Sequence, residues 1–108
     1  MKALFNLRPV ICIFACLLLT GCLSSDPKNS TDGEELYSFH CQKCHKKDGS
    51  GDPIAGFPAN KRTQLQEQQV IMLIRQGDPS RPDMPVFSDL SEQQAAAIVD
   101  YLFSLKLQ

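Results

Sequence analysis

The chain has 108 residues, of which 43% are hydrophobic, with 11 basic residues, 12 acidic residues and five cysteines. Without Lys2 and Arg8 of the first 21 residues, 9 basic and 12 acidic residues remain, and this balance argues against a nucleic-acid-binding protein, since such proteins contact phosphates through basic surfaces. The length allows one small domain, whose core is marginal unless a metal or cofactor adds to it.

The first 21 residues have the pattern of a secretory signal peptide. Lys2 and Arg8 are the charged residues of this stretch, and they precede an apolar run over residues 10–19. Ten apolar residues are about half of the roughly 20 that a transmembrane helix requires. We therefore predict a cleaved export signal over residues 1–21 rather than a membrane span.

The segment Leu19-Thr20-Gly21-Cys22 resembles the lipobox of bacterial lipoproteins. That resemblance implies that Cys22 becomes the lipidated N-terminus, which two or three acyl chains would hold durably at a membrane. The alternative is an ordinary signal peptide cleaved nearby, which leaves a soluble protein. Residues 22–30 are polar and lack apolar periodicity, so we predict a flexible tether there and a folded domain over residues 31–108.

Capping patterns and apolar periodicity predict three main helices. The first follows a capping box that starts at Thr31 and should run from about Asp32 to Cys44. The second begins between Thr63 and Gln66 and stops near Gly77. The third starts with a capping box at Ser91 and should end near Lys106.

The fold class that these elements predict is all-α, because no stretch alternates apolar and polar residues as a half-buried strand does. Two loops rich in glycine and proline, residues 46–60 and 77–89, separate the helices. Loops of this composition beside a reactive centre often carry functional residues.

The pentapeptide Cys41-Gln42-Lys43-Cys44-His45 has the spacing of a covalent haem attachment site. Two cysteine thiols can add to the porphyrin vinyl groups, and the following histidine is then the proximal iron ligand. A thioredoxin-like disulfide would need a βαβ context, which this sequence lacks. A zinc site would need a fourth ligand, and His40 is the remaining histidine.

Together these features resemble a class I cytochrome c with one haem c. The resemblance covers the first helix with its attachment motif, the loop Asp83-Met84-Pro85, and a last helix that carries Tyr101. It implies helices wrapped around one covalent haem, with the N-terminal and C-terminal helices crossing. Gly33, Tyr37 and Tyr101 match the positions at which the family's terminal helices pack together.

Met84 is the expected distal iron ligand, in the Met-Pro-x-Phe context that the family shows. Met72 lies within an apolar helical run, where a thioether usually fills core space. His40 adjoins Cys41, so its side chain would have to turn away from its own helix to reach the far face of the haem. The resemblance also implies that a loop proline carbonyl accepts a hydrogen bond from His45; Pro58 fits this role better than Pro53, or both prolines only shape the loop.

Ligation by His45 and Met84 would close both axial positions of the iron, which favours a single-electron carrier over an enzyme. The alternatives are a haem enzyme or ligand sensor with a displaceable sixth ligand, and a fixed haem subunit of a dehydrogenase or reductase. The expected partners are redox proteins of the cell envelope, with the membrane reached through Cys22 and the domain monomeric or part of a complex. Lysines around the motif either steer an acidic partner or are ordinary solvated residues: Lys43, Lys46 and Lys47.

Overall fold

The computed structural model describes residues 26–108, so the predicted signal peptide and Cys22 lie outside the described residues. The described part is a small all-α domain, which confirms the predicted fold class. Within it, the only strand-like pairing is an isolated bridge between Asp52 and Phe57. Over the same residues, no helix is both long enough and apolar enough to cross a membrane. The four α-helices of this part are α1 (Gly33–His40), α2 (Gln42–His45), α3 (Glu67–Gln76) and α4 (Glu92–Ser104).

Helices α1 and α2 replace the single helix predicted from Asp32 to Cys44. The N-cap is Asp32 rather than Thr31, because the Asp32 carboxylate accepts a hydrogen bond of 2.8 Å from the Glu35 amide. Cys41 has φ −116° and interrupts the helix. The break turns the short helix α2 and its cysteine and histidine relative to α1, which periodicity alone does not predict.

Helix α3 begins and ends as predicted but packs differently. A capping box joins Gln66 and Gln69 at its start, and Gly77 ends it with φ 76°. Three apolar side chains of the helix are buried, whereas Met72 is half-exposed. The expectation that Met72 fills core space is therefore wrong, because the apolar run extends past the buried face onto solvent.

Helix α4 follows the capping box predicted at Ser91. The Ser91 hydroxyl accepts from the Gln94 amide at 3.1 Å, and the Gln94 side chain accepts from the Ser91 amide at 3.0 Å. The α-helix ends at Ser104, and a 3₁₀ turn over Leu105–Leu107 continues it. The predicted end near Lys106 therefore falls within this last turn.

The terminal helices α1 and α4 cross in the core, as the resemblance implies. The Cα of Gly33 lies so close to α4 that an added Cβ would stand 2.1 Å from the Ala97 carbonyl oxygen. Beside this crossing, the Tyr37 and Tyr101 rings are 5.3 Å apart between centroids. Leu36 and Ile98 are fully buried at the same junction. Glycine is needed here for the close backbone approach.

Residues 26–30, which belong to the predicted tether, contact the domain. A 3₁₀ turn over Pro27–Asn29 lies beside α4, and Gln94 Nε2 donates to the carbonyl oxygens of Lys28 and Ser30 at 2.9 and 3.0 Å. The packed part of the chain therefore includes this segment. The tether boundary itself remains a prediction.

Candidate functional site

A cavity of about 390 Å³ opens between the helices and the two glycine- and proline-rich loops. Its size falls in the range of small-molecule and cofactor sites. The walls are mainly apolar and come from α3 and α4, with loop residues around the mouth. The apolar wall residues of the two helices are Val70, Leu73, Ile74, Ile98 and Leu102.

The two cysteines of the attachment motif hold free thiols at different depths. Cys41 lines the cavity, and burial, with a smaller contribution from Cys44, raises the pKa of its thiol to about 12. Redox-active Cys-x-x-Cys pairs instead rely on a lowered thiol pKa, so this environment does not fit the disulfide alternative. Cys44 is half-buried on α2 and does not line the cavity.

His45 also lines the cavity, and a backbone carbonyl contacts its imidazole ring. Nδ1 lies 2.9 Å from the Pro58 carbonyl oxygen. A carbonyl can only accept, so Nδ1 is the donor, and in the neutral ring Nε2 then keeps a free lone pair. This is the tautomer that a metal-binding histidine requires. The structure thus places Pro58, rather than Pro53, beside His45.

The loop after His45 folds back over the motif through glycine at a crowded turn. The Gly51 amide donates to the His45 carbonyl oxygen at 2.9 Å. Gly51 has φ 69°, and a Cβ there would stand 2.6 Å from the backbone of Phe57 and Pro58. A side chain at this position would push the Pro58 carbonyl away from His45.

Met84 lines the same cavity as His45 and is half-buried. Its amide donates to the Arg81 carbonyl oxygen at 3.1 Å, and three residues later the Phe87 amide donates to the Ile74 carbonyl oxygen at 2.8 Å. These two bonds fix both sides of the loop over residues 81–87, called here the methionine loop. The Phe87 bond joins this loop to the end of α3. The site therefore has a thioether and an imidazole on one cavity.

The other two candidates for an axial ligand lie elsewhere. Met72 does not line the cavity. The His40 ring packs edge-on against Phe39 and Phe87, with centroid distances of 4.9 and 5.2 Å. Burial lowers the pKa of His40, although Asp89 opposes the shift.

Five polar residues line the cavity but are absent from the sequence-based site: Tyr37, Asn60, Thr63, Gln64 and Arg81. The Tyr37 hydroxyl lies 2.9 Å from the Lys46 carbonyl oxygen, and burial raises the pKa of Tyr37 to about 12. Arg81 pairs with Asp78 at the cavity margin. The family resemblance indicated a packing position for Tyr37 but no place at the cavity, and no local pattern marks the others, because each reaches the cavity through the tertiary fold.

Two of the three lysines around the motif have acidic partners. Lys46 Nζ lies 3.4 Å from an Asp52 carboxylate oxygen, and Lys47 Nζ lies 3.9 Å from Glu34. A basic face that steers an acidic partner would need these charges uncompensated. For Lys46 and Lys47, these pairs favour the alternative of ordinary solvated lysines, whereas the role of Lys43 stays a prediction.

The residues present fit a covalently bound haem c. A thiol, an imidazole with a free lone pair and a thioether all face one mainly apolar cavity. These are the donor types found in cytochrome c sites. Across residues 26–108, no group of three or more His, Cys, Asp or Glu side chains could hold a bare metal ion, so the zinc alternative gains no support.

Comparison with known proteins gave two matches. The family model described as "Cytochrome C oxidase, cbb3-type, subunit III" matches residues 28–102. The fructose dehydrogenase cytochrome subunit of Gluconobacter japonicus is 33% identical over 90 aligned residues, which cover 69% of this chain and 18% of that protein. The chain thus spans about a fifth of the length of this curated relative. No solved structure matches significantly.

Proposed function

Since this chain belongs to the family of cbb3-type cytochrome c oxidase subunit III, a family of c-type cytochrome domains, we propose that it carries single electrons between redox proteins of the cell envelope. The proposal assigns one haem c to the cavity. Cys41 and Cys44 would bond to it covalently, and His45 and Met84 would be its axial ligands.

The chain's own residues would each supply part of this function. Bound haem iron provides one-electron oxidation and reduction. The Pro58 carbonyl fixes the His45 ring in the metal-binding tautomer. The methionine loop, held to α3 by the Phe87 amide, keeps Met84 at the cavity. The apolar walls from α3 and α4 would keep water away from a bound haem.

One observation carries the proposal: the attachment motif and Met84, which lie on separate segments of the chain, meet at the same cavity. Ligation of the haem iron by both His45 and Met84 would leave no open position for a substrate. This favours a carrier over the alternative of a haem enzyme or ligand sensor.

The axial assignment can be tested by optical spectra of protein made in an export-competent host that matures c-type haem. We expect one low-spin haem per chain, and Met84→Ala should change the spectrum and allow carbon monoxide to bind the reduced protein. Met72→Ala is the matched control, because this methionine is half-exposed on α3 and does not line the cavity. Identical spectra for wild type and Met84→Ala would refute the assignment.

We also propose that Cys22 carries lipid and tethers the domain to a membrane facing the periplasm, as the lipobox-like segment indicates. Two or more acyl chains give durable membrane attachment. Labelled fatty acid should enter the wild-type chain and not Cys22→Ser, and the variant should leave the membrane fraction. A wild-type chain that incorporates no label would contradict lipidation.

A second candidate is a fixed haem subunit of a dehydrogenase complex, which the similarity to a fructose dehydrogenase cytochrome subunit favours. Solubilisation in mild detergent followed by size-exclusion chromatography separates the two cases. A shuttle elutes near the size of one small domain, whereas a subunit elutes with a larger partner in fixed proportion.

A further inference from the structure

One buried hydroxyl joins both ends of the 46–60 loop to helix α1. The Tyr37 side chain is fully buried. Its hydroxyl lies 2.9 Å from the Lys46 carbonyl oxygen and 3.2 Å from Asn60 Oδ1. Lys46 directly follows His45, and Asn60 lies two residues beyond Pro58, so the hydroxyl reaches both ends of the segment that holds the His45 ring.

The backbone that this hydroxyl contacts has a conformation that side-chain-bearing residues rarely adopt. Lys46 has φ 63° and ψ 161°. This region is almost restricted to glycine, and other residues pay about 1–3 kcal/mol there. Three hydrogen bonds hold the Lys46 backbone in place. Its amide donates to the Gln42 carbonyl oxygen, and its own carbonyl oxygen accepts from the Gly49 amide and from the Tyr37 hydroxyl.

The hydroxyl has one proton and faces two oxygen atoms, so it can donate to only one of them. If the Asn60 amide is turned about its terminal bond, its NH₂ group donates to the Tyr37 oxygen, and the hydroxyl donates to the Lys46 carbonyl. Both bonds then form. Asn60, Tyr37 and Lys46 become a chain of donors that ends one residue from His45.

We propose that Tyr37 and Asn60 are positioning residues for His45: by holding the Lys46 carbonyl, they keep the adjoining backbone in the form that sets the imidazole against the Pro58 carbonyl. The inference rests on the proposed role of His45 as an iron ligand. It assigns a function to a hydroxyl that helix packing alone does not require, since phenylalanine would fill the same core space.

The test is hydrogen exchange of the His45 Nδ1–H proton, measured by ¹⁵N NMR on reduced, haem-loaded protein. Tyr37→Phe should accelerate this exchange about fivefold, the factor that corresponds to the loss of one hydrogen bond of about 1 kcal/mol. Tyr101→Phe is the matched control, because it removes a hydroxyl at the same helix junction that makes no hydrogen bond within residues 26–108. The buried amide of Ile98 reports global opening, and its exchange should change less than that of His45.

Rescue provides the second arm. Glycine adopts the Lys46 conformation without strain, so adding Lys46→Gly to Tyr37→Phe should bring His45 exchange back to within about twofold of wild type. Asn60→Ala, which leaves the Tyr37 ring in place, should accelerate exchange in the same direction and carries the test if Tyr37→Phe does not fold.

The positioning role would be overturned if hydrogen exchange accelerated equally at His45 and Ile98, or if neither Tyr37→Phe nor Asn60→Ala accelerated exchange at His45. Failure of the proposed function is distinguishable, because it appears in the wild-type chain as protein without a low-spin haem spectrum. A positioning role that fails leaves that spectrum intact.

Discussion

The close contact of Gly33 with helix α4 predicts a large penalty for a single methyl group. In Gly33→Ala, the new Cβ would stand 2.1 Å from the Ala97 carbonyl oxygen, 2.8 Å from its carbon and 3.2 Å from Tyr101 Cβ. Normal contacts of this kind need about 3.5 Å, so α1 and α4 would have to separate by roughly 1.4 Å along this contact. The two nearest obstructing atoms belong to the Ala97 backbone, which cannot rotate aside as a side chain can.

The magnitude follows from two opposing effects. Overpacking a tight contact costs about 1–3 kcal/mol, and the separation also loosens the contact between the Tyr37 and Tyr101 rings. The higher helix propensity of alanine offsets at most about 1 kcal/mol of this loss in the free energy of unfolding. We expect a net loss of about 2 kcal/mol, or roughly 8–16 °C in the unfolding midpoint of a domain of this size.

Thermal unfolding of haem-loaded protein, followed by far-ultraviolet circular dichroism, checks this value. Ser38→Ala is the control, since it makes the same kind of propensity change at an exposed position of α1. We expect the free energy of unfolding of this control to stay within about 0.5 kcal/mol of wild type. A Gly33→Ala midpoint equal to or above that of wild type would refute the close-approach reasoning.

Three further predictions concern the core, a helix cap and the surface. Burial raises the pKa of Tyr37 from 10.0 to about 12 in the folded chain, so its stabilising effect is complete below pH 10 and is lost as pH rises toward 12. Urea unfolding should show a decline of about 2 kcal/mol over this window. Because burial also raises the pKa of Tyr101, part of the decline should persist in Tyr37→Phe, and Tyr37→Phe should reduce it more than Tyr101→Phe does. Ser91→Ala should cost about 1 kcal/mol in urea unfolding by removing the α4 cap, and an unchanged midpoint would exclude a capping role. Lys47→Ala should change stability by less than about 0.5 kcal/mol, since its pair with Glu34 is exposed, and it should leave the salt dependence of electron transfer nearly unchanged; a strong loss of that dependence would restore the steering interpretation.

Local chemistry explains how much of the fold the sequence predicts. The cap at Ser91 and the stop at Gly77 depend on residues within one turn, and both lie where expected. The break at Cys41 and the exposure of Met72 do not follow from periodicity, because they depend on which face each neighbouring helix covers. The close approach of Gly33 to α4 was predictable only through the family resemblance.

The candidate site divides in the same way. Residues 41–45 can be recognised in the sequence because the attachment motif is contiguous. Met84 can be recognised because it lies in a Met-Pro-x-Phe loop segment. The Tyr37 hydroxyl and Asn60 could not be predicted, since they are 23 residues apart in sequence and meet only when the loop closes on α1. Their role depends on the unusual backbone angles of Lys46, which a lysine in the sequence does not indicate.

Covalent attachment of haem to Cys41 and Cys44 can be tested by acid–acetone extraction of the purified, host-matured chain. The red chromophore should stay with the polypeptide after extraction and should be released only from a Cys41→Ser, Cys44→Ser double variant. A wild-type chain that is colourless, or whose haem passes entirely into the acetone, would contradict it.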